Sequence, residues 1–315
     1  MKAIVYNKKG SPTKNSVLEV DRPIPTDNEV LVRILATSVN AADYRQMKMG
    51  ITPKRKFYGA DIAGIIESAG KNITQFKPGD EVIGDLSDFG FGGFAEYAIA
   101  PERVLVKKPA NIPFKAAAAI PLAAMTAFYG LRKGHITVNQ DVLIVGSSGG
   151  VGTFAVQLAK FYGAKITAVC SENNTAQAHE LGADRVIDYT KEDFTQDPNT
   201  YDLILAINGN YPLGAYKRLL KPNGICVMIG GSYSQIFKFL LFGWFFSLGS
   251  KKMTSLSAKS NQKDLQFLVQ LVADGRIKPS IEKVIPLEIA PEALDQVMKG
   301  HAQGKYVILF GGNNR

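Results

Sequence analysis

Cysteine and histidine are scarce in this chain, with two cysteines and three histidines in 315 residues. Cys170 and Cys226 have no metal-type spacing, and His135, His179 and His301 are scattered, which argues against a catalytic zinc set. So few cysteines exclude a disulfide framework and suit a reducing, cytoplasmic setting. Long apolar runs are missing as well. The best candidate, IFKFLLFGWFFSLG at 236–249, is interrupted by Lys238 and falls short of the roughly 20 residues of a spanning helix. It reads as a buried or subunit-interface helix, with peripheral membrane contact as the alternative. The opening MKAIVYNKKGS lacks the apolar region of a signal peptide and already alternates like a strand. Net charge is +9, but the positive residues are dispersed and their tightest cluster is Lys54-Arg55-Lys56. With no accompanying motif, that charge disfavours nucleic acid as a partner.

Apolar residues at 46% and charged residues at 21% are ordinary for a globular protein, and the length suits two domains. Residues 1–115 carry many short alternating segments divided by glycine and proline, such as KAIVY, EVLVRILATSV, GADIAGIIESAG and KPGDEVIG. That pattern predicts a closed or folded antiparallel β unit. Near residue 115 the style changes. FKAAAAIPLAAMTAFYGL is helical in composition, and strands then alternate with helices through 116–256. The alternation predicts an α/β fold with a doubly wound parallel sheet. The tail, 257–315, offers an amphipathic helix, a strand, another helix and KYVILF. A terminal strand of this kind completes a sheet begun elsewhere, so the tail is expected to return to the first domain.

The stretch DVLIVGSSGGVGTFAVQLAK, 141–160, supplies a strand, a glycine turn and a helical run. Glycines there permit a tight turn, let backbone approach a pyrophosphate and let the helix pack close to the strand. Ser148, Gly149, Gly150 and Val151 are expected to cradle phosphate at the helix N-terminus, with Gly152 as the packing glycine and Thr153 opening the helix. The second strand ends in ITAVCSENN. An acidic residue at its end would hold the adenosine ribose of NAD and repel a 2′-phosphate. Val169 stands there instead, followed by Cys170 and Ser171, while Asn173 and Asn174 offer amides. This favours NADPH. Glu172 and the lack of Lys or Arg in the stretch keep NADH as the alternative.

At these residues the chain resembles the medium-chain dehydrogenase/reductase superfamily, and within it the zinc-free quinone oxidoreductase branch of bacteria and chloroplast envelopes. The resemblance rests on SVNAADYRQMKMG (38–50), YGADIAGII (58–66), FKPGDEVIG (76–84), GGFAEY (92–97), PLAAMTAFYGL (121–131), VGSSGGVGTFAVQLAK (145–160), LGADRVIDYTKEDF (181–194) and GHAQGKYVILF (300–310). It implies a Rossmann domain at 116–256 and a GroES-like catalytic domain made of 1–115 and 257–315. Zinc-using members carry a cysteine where Asn40 stands and Gly-His-Glu where GAD (59–61) stands, so the resemblance implies no zinc. It places Asn40 beside the nicotinamide and Tyr44 as a hydrogen-bond donor to a substrate carbonyl. Asp43 is given a structural role, and Asp61 a salt bridge in place of zinc. Thr126, Tyr189, Asn208, Gly230 and Lys305 are placed on the cofactor, Lys305 at the pyrophosphate. Asn174 stands where some quinone reductases have lysine. The implied activity is NADPH-dependent reduction of quinones or α,β-unsaturated carbonyls by a homodimer with a lipophilic substrate. Two alternatives stand beside it: a zinc-independent alcohol or ketone oxidoreductase, and a nucleotide-binding protein with little catalysis.

Overall fold

Apolar residues alternate along EVLVRILATS, and a period of two predicts a strand with one buried face. This is β3 (Glu29–Ser38), preceded by an antiparallel hairpin of β1 (Lys2–Tyr6) and β2 (Asn15–Glu19). Val30, Val32, Ile34 and Ala36 of β3 are fully buried. The computed structural model describes residues 1–6, 15–49, 51, 53–54, 57–247, 249–257, 259–297 and 302–311. After β3 come α1 (Ala41–Met49), β4 (Asp61–Ala69), β5 (Glu81–Asp85), β6 (Tyr97–Pro101) and β7 (Leu105–Lys107). β4 and β6 both pair antiparallel with β3, β5 pairs with β4, and β7 pairs with β5.

The helical run near residue 115 divides into α2 (Phe114–Ala118) and α3 (Pro121–Lys133). Proline disfavours helical geometry in the residue before it and suits the first helical position, which explains the break at Pro121. The chain divides into two compact units, Met1–Met125 with Lys259–Arg315, and Thr126–Ala258. The division lies inside α3, ten residues beyond the change in composition.

In the second unit β8 (Asp141–Val145), α4 (Gly150–Phe161), β9 (Lys165–Cys170), α5 (Thr175–Glu180) and β10 (Arg185–Asp188) come first. Then follow β11 (Tyr201–Ala206), α6 (Leu213–Leu219), β12 (Leu220–Met228), α7 (Tyr233–Phe246) and β13 (Lys252–Ser255). All six strands are parallel, in the order β10-β9-β8-β11-β12-β13. Order reverses between β8 and β11, and ligands of such sheets bind beyond the carboxyl ends of strands at that point. Val142, Leu143 and Ile144 of β8 are wholly buried, as expected for a strand covered on both faces. Of the two readings of the 236–249 segment, a buried helix or a subunit-interface helix, the first is corrected here. The aromatic helix α7 is not buried: Phe237, Phe242, Trp244 and Phe245 are each more than half exposed, because only the face through Gln235, Phe239 and Gly243 packs inward.

The tail adds α8 (Gln262–Ala273), β14 (Ile281–Pro286), α9 (Ala290–Val297) and β15 (Lys305–Leu309). β15 pairs antiparallel with β3 and parallel with β14, giving the order β14-β15-β3-β4-β5-β7 in the first unit. The first unit's sheet is therefore mixed and not purely antiparallel, since α9 carries the chain across between β14 and β15 and returns it in the same direction.

Ile308 is fully buried in β15, opposite Thr37 of β3 and Ile285 of β14. Ile308→Ala is expected to cost about 2–5 kcal/mol. Hydrogen exchange would read this as lost protection of β3 amides with β8 amides little changed.

Candidate active site and cofactor cradle

In the first unit a buried charge cluster forms where β3 ends, β4 begins and β15 begins. Asp61 is fully buried and opens β4, Lys305 is 2% exposed and opens β15, and Asn40 is 8% exposed between β3 and α1. Asp61 Oδ2 accepts from Ser38 Oγ at 2.5 Å, from Asn40 Nδ2 at 2.7 Å and from Lys305 Nζ at 3.2 Å. Its Oδ1 accepts from the Leu122 backbone N–H at 2.8 Å. Lys305 Nζ also donates to Asn40 Oδ1 at 2.5 Å and to the Val39 carbonyl at 3.2 Å. An ammonium has three N–H groups, and these three partners account for all of them. Such pairing is what makes a charge tolerable away from water.

Asp43 lies beneath this cluster, fully buried on α1. It accepts from the Asn40 backbone N–H at 2.8 Å and from the Gly59 N–H at 3.1 Å. Gly59 has φ +94°, and a Cβ there would meet Phe94 N at 2.4 Å, so the turn that presents its N–H requires glycine. Asp85 sits directly across β4 and β5 from Asp61. Burial pushes the Asp43 and Asp85 carboxyls up to about 7, with the charge of Asp61 adding to each. The site thus holds three buried carboxyls, with Lys305 paired to Asp61.

The structure brings Asn40, Asp61 and Lys305 together and gives each a partner in the first unit. Asn40, expected beside the nicotinamide, has its amide held at both ends. Lys305, expected at a pyrophosphate, points its three donors inward. Tyr44 follows Asp43 on α1 and is half-buried, with Lys48 Nζ at 5.6 Å from its ring centroid. A zinc ion does not fit here, because an amide replaces a thiolate, Ala60 replaces an imidazole and the Lys305 ammonium adjoins the one carboxylate of the set. Among the described residues no group of three His, Cys, Asp or Glu side chains is placed to hold a metal ion. His301 lies outside the described residues.

In the second unit the phosphate cradle is built at the end of β8. Gly146 takes φ +87°, and a Cβ there would come within 2.9 Å of the Asn208 Cβ, so the chain after β8 and the chain after β11 touch at this point. A Cβ on Gly152 would lie 2.2 Å from the Gly146 carbonyl oxygen, which makes it the packing glycine. At Gly149 a Cβ would meet nothing within 4 Å, so the space in front of it is open. The helix begins at Gly150 and not at Thr153, with Gly149 as an N-cap that offers no side-chain cap. Its first N–H groups lack helical acceptors. Ser148, Gly149, Gly150 and Val151 are partly exposed, whereas 152–159 are buried. An uncapped helix start opening on free space is a fitting cradle for a dinucleotide pyrophosphate.

Ser147 Oγ donates to the Val169 carbonyl at 3.1 Å, tying the cradle to the end of β9. Beyond β9, Asn174 Nδ2 donates to Ser171 Oγ at 2.9 Å, so these two predicted contacts hold each other, with Asn174 buried and Ser171 partly exposed. The β9–β10 register sets Cys170 opposite Asp188 and brings Tyr189, 41% exposed, and Lys191 beside the 171–174 turn. Lys191 Nζ lies 2.5 Å from Glu172 Oε1. Lys191 escaped the sequence reading because it follows the third strand of this sheet; only the parallel register places it at the end of the second. A cavity of about 300 Å³ is lined by Tyr189, Thr190, Lys191 and Tyr211 among others. Asn208 is exposed, and Gly230 is buried with its N–H 3.4 Å from the Ala206 carbonyl. Thr126 is half-buried on α3.

Two known families match this chain. Residues 26–110 match the alcohol dehydrogenase GroES-like domain, and residues 181–308 match the zinc-binding dehydrogenase family. The chloroplast envelope quinone oxidoreductase homolog of Arabidopsis thaliana is 32% identical over 98% of both chains. The chain belongs to the medium-chain dehydrogenase/reductase superfamily, with the quinone oxidoreductases. The NADPH-dependent alkenal/one oxidoreductase of the same plant is 31% identical over 98% of this chain and 79% of its own. Among solved structures, the quinone oxidoreductase from Coxiella burnetii superimposes with a TM-score of 0.89 at 25% identity, covering 99% of each chain. Each unit has its own feature: the second an uncapped helix start after β8, the first a buried aspartate–lysine pair.

Two outcomes follow from the cluster. Lys305→Met leaves Asp61 buried without its cation and is expected to cost about 3–5 kcal/mol, while Lys305→Met with Asp61→Asn recovers much of that loss in urea unfolding. The second concerns pH. Asp43 and Asp85 have folded values near 7, above the ordinary 3.8 of an exposed aspartate. Between those values the folded protein binds more protons than the unfolded chain, so stability falls as pH rises. The urea midpoint should therefore drop from pH 5 to pH 8, and less steeply in Asp43→Asn with Asp85→Asn.

Proposed function

We propose that the protein reduces quinones or α,β-unsaturated carbonyl compounds with NADPH, without zinc. The observation that carries this reading is the uncapped start of α4, open in front of Gly149. A bound nicotinamide supplies hydride to the acceptor, and a proton from solvent or Tyr44 completes the hydroquinone or the saturated carbonyl. Gly149, Gly150 and Val151 hold the pyrophosphate through backbone N–H groups, and Ser148 flanks them. Tyr44 donates a hydrogen bond to the acceptor's carbonyl oxygen as negative charge develops there. Asn40 is a positioning residue, kept in place by Lys305 and Asp61. Thr126, Asn208 and Gly230 serve the nicotinamide side, and Tyr189 the adenosine side.

The preference for NADPH over NADH rests on Lys191. Its ammonium offsets the charge of Glu172 and puts a cation beside Ser171, where a 2′-phosphate would sit. Asn174 acts indirectly, by orienting the Ser171 hydroxyl. The relatives described above, one of them NADPH-dependent by name, support the same cofactor and acceptors.

Purified protein should consume NADPH with 1,4-naphthoquinone and with an alkenal, and should leave simple alcohols unoxidised. Failure with both acceptors at millimolar levels would overturn the reading. Lys191→Glu should raise KM for NADPH roughly tenfold, the factor for losing one charge-assisted contact. KM for NADH should stay unchanged; a parallel rise would remove Lys191 from the discrimination.

A further inference from the structure

Helix α7 divides sharply into two faces. Phe239 joins the core of the second unit with Met253, and Gln235 and Gly243 face the same way. Outward stand Phe237 at 63% exposure, Leu241 at 48%, Phe242 at 54%, Trp244 at 69% and Phe245 at 56%. At about 100° per residue these five side chains share one arc of roughly 160°. Lys238 lies inside that arc and is exposed. Single exposed apolar residues are ordinary, but five on one face form a patch that implies a partner.

The stretch of chain that carries this helix has charge of one sign. From Leu203 to Ala258 the chain contains no aspartate or glutamate and six basic residues, Lys217, Arg218, Lys221, Lys238, Lys251 and Lys252. Lys221 is neutralised by Asp141 and Asp202. Ser247 Oγ donates to the Met253 carbonyl and accepts from the Met253 N–H, which ties the end of α7 to the chain just after Lys251 and Lys252; Lys252 is exposed, and Lys251 Nζ donates to the Lys217 carbonyl at 2.9 Å.

We propose that this face of α7 docks on an anionic lipid bilayer. An aromatic, lysine-bearing helix face in a stretch of chain without acidic residues has the composition of a helix that lies in the plane of the membrane interface. Trp244 and the phenylalanines enter the boundary between headgroups and acyl chains, while Lys238 extends its ammonium toward phosphate. The helix is 14 residues long, about 21 Å at 1.5 Å per residue, so it lies on the membrane and does not cross it. A second copy of this chain fits the face less well. Two-fold pairing through this face would enclose two copies of Lys238 in one apolar interface, with no carboxylate from residues 203–258 to offset them. The proposal does not rest on the reductase reading, because binding is read without turnover.

Trp244 is the only tryptophan in the chain and reports on the face directly. The full chain is mixed with phosphatidylcholine vesicles, with or without roughly a third phosphatidylglycerol. The expected result is co-flotation with the anionic vesicles, weakened by salt, together with a shift of Trp244 emission to shorter wavelength and quenching by brominated lipid. Lys238→Gln should weaken binding about fivefold. Phe237→Ser or Phe245→Ser should weaken it about tenfold or more. An unfolding temperature equal to that of the parent shows that each variant is folded, and the quenching experiment on the parent stands without any variant. Two results would overturn the proposal. One is unchanged emission and no flotation with anionic vesicles at low salt. The other is an emission that shifts with protein concentration and ignores vesicles, which assigns the face to a second copy.

Discussion

The ion pair between Asp61 and Lys305 ties together residues 244 positions apart in the chain. It closes the first unit, because Asp61 begins β4 on one side of β3 and Lys305 begins β15 on the other. The same carboxylate orders Ser38, Asn40 and the Leu122 N–H, so the turn from β3 into α1 and the start of α3 both refer to one buried charge. A buried pair of this kind adds little net stability over an apolar substitute, yet removing one partner is costly. Its value lies in fixing a single arrangement of the four segments that meet there.

The second unit depends on close backbone approach. Gly146, Gly152 and Asn208 leave no room for an added Cβ at the first two positions, which locks the ends of β8 and β11 against the start of α4. The open side of that turn carries the partial positive charge of an uncapped helix end. Glycine packing closes one side of this helix start and leaves free space on the other, in front of Gly149. At the 171–174 turn a cation, Lys191, arrives from the neighbouring strand's end and meets Glu172.

Much of this was legible in the residues. The β8–α4 turn, the parallel strands and the return of the tail all follow from local periodicity and glycine placement, which are short-range signals. The start of α4 was misread by three residues, since glycines in a turn and glycines in a first helical turn look alike until the backbone is seen. Asn40, Asp61 and Lys305 were each noticed, but as separate residues with separate roles. Their union into one network could not be read, because it depends on β15 pairing with β3 across the whole length of the chain.

The sequence by itself determined the order of strands and helices along the chain and the glycine turn, since each is a property of neighbouring residues. Tertiary structure alone decided three things. It directed the donors of Lys305 inward, it set Lys191 against Glu172, and it left one face of α7 uncovered. All three depend on strand register and helix packing, which bring together side chains that are distant in the chain and choose which face of an element meets water.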